Sequence, residues 1–291
     1  MTKEKCNNMK FNIAKFKWLQ FGVRPKNNID YNYFGPEYSE IFTQDDEVKD
    51  LGVLITPNGS FHKHISYVVS KVNQRIGMIL RTFNNRSMDF MKFCWKVYLQ
   101  PIIDYASQLW APHNGPWLRK LENLLRSFTA KISGIGHLDY WRRLKVLKIY
   151  SIQRRFERYR ILYTWKIIKG LVPNCDLEWT YNFQSGTTFK EPPTKDHQII
   201  NRMNSFHFTG TRLYNILPRY MRDNFDATLD EWKSLLDTLL MEVPDNPHID
   251  GMIPAPCDRL STDPCNSIIT WSRHLMISNR RKLDASAHVS L

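Results

Sequence analysis

A chain of 291 residues suffices for one large domain or two ordinary ones, which excludes a disulfide-stapled peptide. With 42% hydrophobic and 13% aromatic residues it has the apolar surface to offset the entropy of ordering, so it is expected to fold. The formal charge of +13 makes a polyanion the leading partner.

Five scattered cysteines (Cys6, Cys94, Cys175, Cys257, Cys265) read as reduced thiols of an intracellular protein, nuclear or cytoplasmic. The first residues lack an apolar leader and no run of eighteen apolar residues occurs, so neither secretion nor membrane insertion is expected.

The first 55 residues read as short strands: Phe16 to Phe21, an Ile29, Tyr31, Tyr33 alternation, and Leu51 to Ile55. From Phe61 the period becomes helical, with Ile65, Val68, Val72, Ile76, Ile79 and Phe83 on one face and Lys71, Arg75 and Arg81 mostly off it. A second helix starts at a Ser87 cap and carries Phe90, Phe93, Val97 and Tyr98; Pro101 kinks or divides it before Ile102, Tyr105 and Leu109. The third repeats Leu118, Leu121, Leu125, Phe128, Ile132 and Ile135, ends at Gly134 and Gly136, and carries Arg119, Lys120, Arg126 and Lys131 on its other side. A short helix over Tyr140 to Leu147 precedes a long one from Ile152 to Lys169. That helix is expected to bury Phe156, Tyr159, Tyr163 and Ile167 and to display Arg154, Arg155, Arg158, Lys166 and Lys169. Residues 171–210 turn polar and read as a linker or irregular loop; order returns at Thr211 to Tyr220 and in a helix from Leu229 to Met241, before a proline-rich tail.

The charge is not spread evenly. Between His62 and Gly170 there are 21 Lys and Arg against five acids (Asp89, Asp104, Glu122, Asp139, Glu157), a net of +16, whereas the remainder nets −3. Candidate phosphate contacts are therefore Lys71, Arg75, Arg126, Lys131, Arg154, Arg155 and Arg158, with Trp141 the aromatic nominated for base stacking.

Catalytic signatures are missing. Asp45-Asp46 lies in a wholly polar setting without flanking strands, and there is no phosphate loop, nucleophile elbow or His-Glu-x-x-His segment. His248, Cys257, Cys265 and His274 have the right chemistry for zinc, but every gap exceeds six residues, so no metal is expected.

Three passages carry a resemblance. Lys10 to Lys15 through Leu19-Gln20-Phe21-Gly22 looks like a palm motif D, and Val48 to Ile55 looks like the Leu-Gly hairpin of motif E, with Leu51, Gly52 and Val53 in the primer-grip positions. His64 to Phe83, then Tyr98-Leu99-Gln100-Pro101 with Asp104-Tyr105-Ala106-Ser107 and Trp110, then Leu118 to Ile135, looks like a helical thumb. Leu213 to Pro218 and Trp232 to Pro247 fit the loosely patterned region downstream. Together they make the chain resemble the carboxy-terminal portion of a non-LTR (LINE-like) retrotransposon reverse transcriptase.

The resemblance implies a mainly α protein: a palm remnant at 1–56, a basic thumb-like bundle at 57–170, a linker or irregular loop at 171–210 and a C-terminal helical region and tail at 211–291. It also implies a binding function. Such a polymerase holds two magnesium ions on aspartates of motifs A and C, which lie upstream of motif D, so the chain is expected to have no catalytic residue and no cofactor of its own. The expected partner is an RNA or DNA duplex, held without sequence choice, and no small-molecule substrate or membrane is expected. A helical module docking on an acidic protein, and a degenerate fragment without function, are the alternatives.

Overall fold

Apolar residues at steps of three and four dominate beyond residue 62, and the computed structural model is accordingly mainly helical, with three separate two-stranded antiparallel hairpins among the described residues. Described are residues 16–21, 31–34, 39–42, 45–112, 115–174, 177–184, 186–190, 205–243 and 268. The zinc candidates His248, Cys257, Cys265 and His274, and Lys10 to Lys15 of the motif D passage, lie outside them. The chain divides into two compact units, Met1–His64 and Ile65–Leu291.

In the first unit, β1 (Tyr31–Phe34) pairs with β2 (Ser39–Phe42), Tyr31 opposite Phe42. The strand expected at Phe16 to Phe21 is reduced to one bridge, where the Asp45 N–H donates to the Trp18 carbonyl (3.1 Å). The run Leu51 to Ile55 is not one strand either. β3 (Val48–Asp50) and β4 (Val53–Ile55) form a hairpin whose two-residue turn is Leu51 (φ 43°) and Gly52 (φ 88°). Two positive φ angles suit the twist of such a hairpin; glycine adopts them freely and leucine does so at a cost of about 1 kcal/mol. The Leu51 side chain is left 83% exposed at the tip, while Val53 is buried.

This unit runs eight residues past the boundary expected at 56. The reason is His64, buried at the start of the first long helix, whose Nδ1 accepts the Leu54 N–H at 3.3 Å and ties the helix start to β4.

In the second unit, α1 (His62–Thr82) buries Ile65, Val68, Val72, Ile76 and Ile79 as its period requires. Phe83 lies past the helix end, half-exposed and edge-on to Phe90 (5.2 Å). Ser87 sits at the N-cap of α2 (Met88–Cys94) in extended backbone, but its hydroxyl makes no capping bond.

Pro101 does not divide the next helix. α2 continues through a π-helical segment, Trp95–Leu99, into α3 (Gln100–Asp104), where the Gln100 N–H reaches back five residues to the Trp95 carbonyl. The wider turn accommodates a ring that would otherwise press on the carbonyl four residues before it. It also keeps Met91, Trp95, Leu99 and Ile103, spaced by four, on the buried side together with Cys94. The apolar residues by which this stretch reads as helical mostly lie outside: Phe93, Val97, Tyr98, Tyr105 and Leu109 are exposed. Ala106 (φ 50°) turns the chain into α4 (Ser107–Trp110).

α5 (Gly115–Thr129) buries Leu118, Leu121, Leu124, Leu125 and Phe128, and stops before Ile132 and Ile135, which are buried from the turns that follow. α6 (Tyr140–Leu147) starts at Asp139, whose carboxylate accepts the N–H groups of Trp141 and Arg142 (both 3.1 Å).

α7 (Ile152–Ile168) is the axis of the unit. It packs against α4, α5 and α8 (Phe206–Asn215) and buries residues all round: Ile152, Phe156, Ile161, Trp165 and Ile167, but also Gln153, Arg154, Glu157 and Arg160. Its N-terminal donors are met from outside. The Ser151 hydroxyl accepts the Arg154 N–H (3.1 Å), and the buried Glu122 carboxylate of α5 accepts those of Ile152 (3.2 Å) and Gln153 (3.3 Å) and the Tyr140 hydroxyl.

The described residues of 171–210 form neither a linker nor an irregular loop. They contain β5 (Trp179–Asn182) and β6 (Gly186–Phe189), a hairpin seated on α8 and α9 (Arg219–Arg222). Asn215 exchanges two hydrogen bonds with the Phe189 backbone, and the Asp223 carboxylate accepts the Thr187 N–H at 2.7 Å. Gly186 (φ 71°) lies so close to that carboxylate that a Cβ would stand 2.7 Å from it. α10 (Leu229–Glu242) begins in a Thr228/Glu231 capping box and buries Trp232, stacked on Trp165 at 5.1 Å, with Leu236 and Leu240. One apolar cluster unites these elements with α7, so 65–291 is not split at 170 or 210.

Burial and the Lys49 ammonium pull the His64 pKa from 6.5 down to about 4. The unfolded chain then binds the proton first, so stability is full above pH 6.5, falls as the pH drops from there toward 4, and levels off below. Denaturation midpoints across this window should show the fall in the wild type and a shallower one in His64→Asn, which keeps an acceptor that does not titrate; identical profiles would contradict the role given to His64.

Candidate nucleic-acid interface

Where the 21 cations sit decides what the +16 block can bind. Long guanidinium side chains are seldom buried unless paired, and on α7 they are both.

Arg154, on the first turn of α7, is buried with its Nη1 3.2 Å from a Glu157 oxygen. Arg155 grips Asp104 of α3 through Nε (3.2 Å) and Nη2 (2.5 Å), and its Nη2 donates to the Tyr159 hydroxyl at 2.8 Å. Arg158 grips Asp237 of α10 through Nε (2.6 Å) and Nη2 (2.8 Å), which raises its own pKa. The Tyr150 hydroxyl shares Asp237, and burial with that charge pushes the phenol up to about 12. Arg160, two residues on, is buried too: its Nη2 donates to the Ala111 carbonyl (2.8 Å), and desolvation lowers its pKa to about 10.

These arginines are therefore ties of the interior, and the reading of Arg154, Arg155 and Arg158 as phosphate contacts is corrected. The sequence signal misled because α7 has no solvated face. A charged residue off the apolar stripe meets a carboxylate from a distant segment there, 51 residues away for Asp104 and 79 for Asp237.

Arg143 is also internal. Its guanidinium donates to the Thr129 hydroxyl (3.1 Å) and to the carbonyls of Arg126 (3.1 Å) and Leu138 (2.7 Å), closing the C-terminal end of α5.

The other candidates do face water. Arg126 is exposed with its guanidinium 4.5 Å over the Tyr140 ring, and Lys131 is exposed in the turn after α5. Trp141 is half-buried and tilted onto Tyr140 at 4.9 Å, which leaves part of the indole outside. Around them lie exposed Arg119 and Lys120 of α5, the latter 3.9 Å over the Trp117 ring, and Arg142, Lys145 and Lys148 of α6 and its C-cap. The Asp139 cap was the signal for this second group: it fixes where α6 begins and so sets Arg142 and Lys145 one turn apart on the outside. Lys71 and Arg75 are half-exposed on α1, a separate place described below.

The primer-grip-like residues Leu51 and Gly52 form the exposed tip of the β3–β4 hairpin, with Val53 turned inward. Asp45, of the acidic pair, is engaged by Lys17 (2.9 Å), and among the described residues no three His, Cys, Asp or Glu converge on a metal position. No helix among them is long and apolar enough to cross a membrane.

The chain is 24% identical over 177 residues to an uncharacterized protein of Caenorhabditis elegans, a match covering 60% of this chain and 85% of that protein. No protein-family pattern matches the chain. No solved structure matches it either.

Removing one partner of a mostly buried pair strands the other charge. Arg155→Ala should therefore cost about 3 kcal/mol in chemical denaturation, and Arg155→Ala combined with Asp104→Ala appreciably less than the sum of the two single losses. Additive losses would show that the pair is not coupled.

Proposed function

We propose that the chain is the thumb-like carboxy-terminal part of a LINE-like reverse transcriptase and binds nucleic acid duplexes through their phosphates, without reading sequence. One observation carries the binding proposal. With the α7 arginines and Arg143 withdrawn, the exposed cations of 115–148 still number seven (Arg119, Lys120, Arg126, Lys131, Arg142, Lys145, Lys148) against one exposed acid, Asp139.

Structure maintenance does not require that surplus, and a duplex offers regularly spaced phosphates for it. The succession of hairpin, long amphipathic helix and compact bundle supports the thumb-like reading. So does the Tyr98 to Trp110 passage, which acts as a seam: Asp104 holds Arg155, and the Trp110 indole donates to the Tyr105 carbonyl (2.7 Å) and meets Phe156 edge-on at 5.7 Å.

The same reading gives these 291 residues no polymerase step, because two-metal transfer needs converging carboxylates. Incubation with an RNA template, a primer and magnesium or manganese should yield no extension; template-dependent incorporation by a clean preparation would contradict it.

If five phosphates are neutralised by residues drawn from Arg119, Lys120, Arg126, Lys131 and Lys145, log K should fall against log salt with a slope of about −4.5 on duplex DNA, alike for random sequences. Arg119→Gln/Lys131→Gln/Lys145→Gln should bring the slope to about −1.8 with the melting temperature kept. An unchanged slope in the folded triple variant would remove duplex binding from this surface.

A further inference from the structure

The face that α2 and the π-helical segment leave outside has a composition that a buried-core account does not explain. Phe93 (52% exposed), Val97 (48%) and Tyr98 (45%) stand in water, with Phe93 edge-on to Tyr98 at 6.1 Å. α1 reaches this face at one point, where Arg75 Nη1 stands 3.5 Å from the Tyr98 carbonyl. The α1 stripe facing this way repeats at steps of three and four as Tyr67, Lys71, Arg75 and Met78, with Lys71 Nζ 5.7 Å from the Tyr67 ring and Met78 half-exposed. Across residues 65–98 there are six Lys and Arg and one acid, Asp89, at the first turn of α2. Lys71 and Arg75 turn toward a ring and a carbonyl, not toward a carboxylate.

An apolar protein helix would answer the aromatics and leave the cations unmatched. A duplex would answer the cations, but its base faces are stacked on one another and closed to Phe93 and Tyr98. An unpaired nucleic acid strand presents both along a single chain: regularly spaced negative charge and open flat faces.

We propose that the α1/π-segment face binds single-stranded nucleic acid, with bases stacking on Phe93 and Tyr98 and the backbone held by Lys71, Arg75 and Lys96. This surface shares no residue with the α5–α6 surface, so either assignment can fail without the other.

The test uses the full chain, a fluorescein-labelled 20-nucleotide oligo(dT), an abasic 20-mer with the same phosphates, and a blunt 20-base-pair duplex. Phe93→Ala/Tyr98→Ala should weaken oligo(dT) binding by about 10- to 100-fold and leave the duplex within about 2-fold. Lys71→Gln/Arg75→Gln keeps the aromatics and should weaken oligo(dT) and the abasic strand alike. The wild type should prefer oligo(dT) to the abasic strand by about 10-fold or more, a comparison that needs no variant to fold. Equal binding of those two strands by the wild type, or a folded Phe93→Ala/Tyr98→Ala protein with unchanged oligo(dT) affinity, would overturn the proposal and leave the face to an acidic amphipathic peptide.

Discussion

The second unit depends on how α7 keeps ionised groups inside a bundle. Four arginines within two turns (Arg154, Arg155, Arg158 and Arg160) cannot be desolvated alone: moving one such charge out of water costs several kcal/mol, and only close carboxylates and carbonyls offset it. Three of the four partners come from other elements, so those contacts are also long-range constraints. Asp104 fixes α3, Asp237 fixes α10, Glu157 lies on α7 itself, and the Ala111 carbonyl places the end of α4 on Arg160. Glu122 adds the same logic at the N-terminus of α7, where one carboxylate satisfies two backbone donors and a phenol. Apolar contacts supply most of the cohesion; these polar contacts fix which helix meets which.

The charge therefore divides between two tasks. Arginines with planar, two-pronged contacts are used inside, as their geometry favours. The cations left outside, on α5, α6 and the turns between and on α1 and the π-helical segment, are the ones placed to meet a polyanion. A sequence count of +16 measures the sum and says nothing about the division.

Much of the helical framework was legible. The step of three and four set α1 and α5, and the starts read at Tyr140 and Ile152 are those of α6 and α7, although their caps, Asp139 and Ser151, were not singled out. What failed did so for identifiable reasons. The second helix offers apolar residues on two faces, and the π-helical segment before Pro101 selects Met91, Trp95, Leu99 and Ile103 over Phe93, Val97 and Tyr98, a choice that depends on backbone geometry. The hairpin β5–β6 lies in a polar stretch because β5 is exposed along its whole length; its order comes from Asn215 and Asp223, more than 25 residues later in the chain. Of the site, Arg126, Lys131 and Trp141 were legible as surface groups. Arg154, Arg155 and Arg158 were not legible as interior ones, since nothing local announces Asp104 or Asp237.

The division of charge is tested most directly by footprinting arginines with phenylglyoxal on the folded protein, free and bound to a random-sequence duplex, with mass spectrometry as the readout. Arg154, Arg155 and Arg158 should be unreactive in both states, and Arg119 and Arg126 reactive in the free protein and protected when the duplex binds. Ready modification of the α7 arginines in the folded free protein, with protection on binding, would contradict the account.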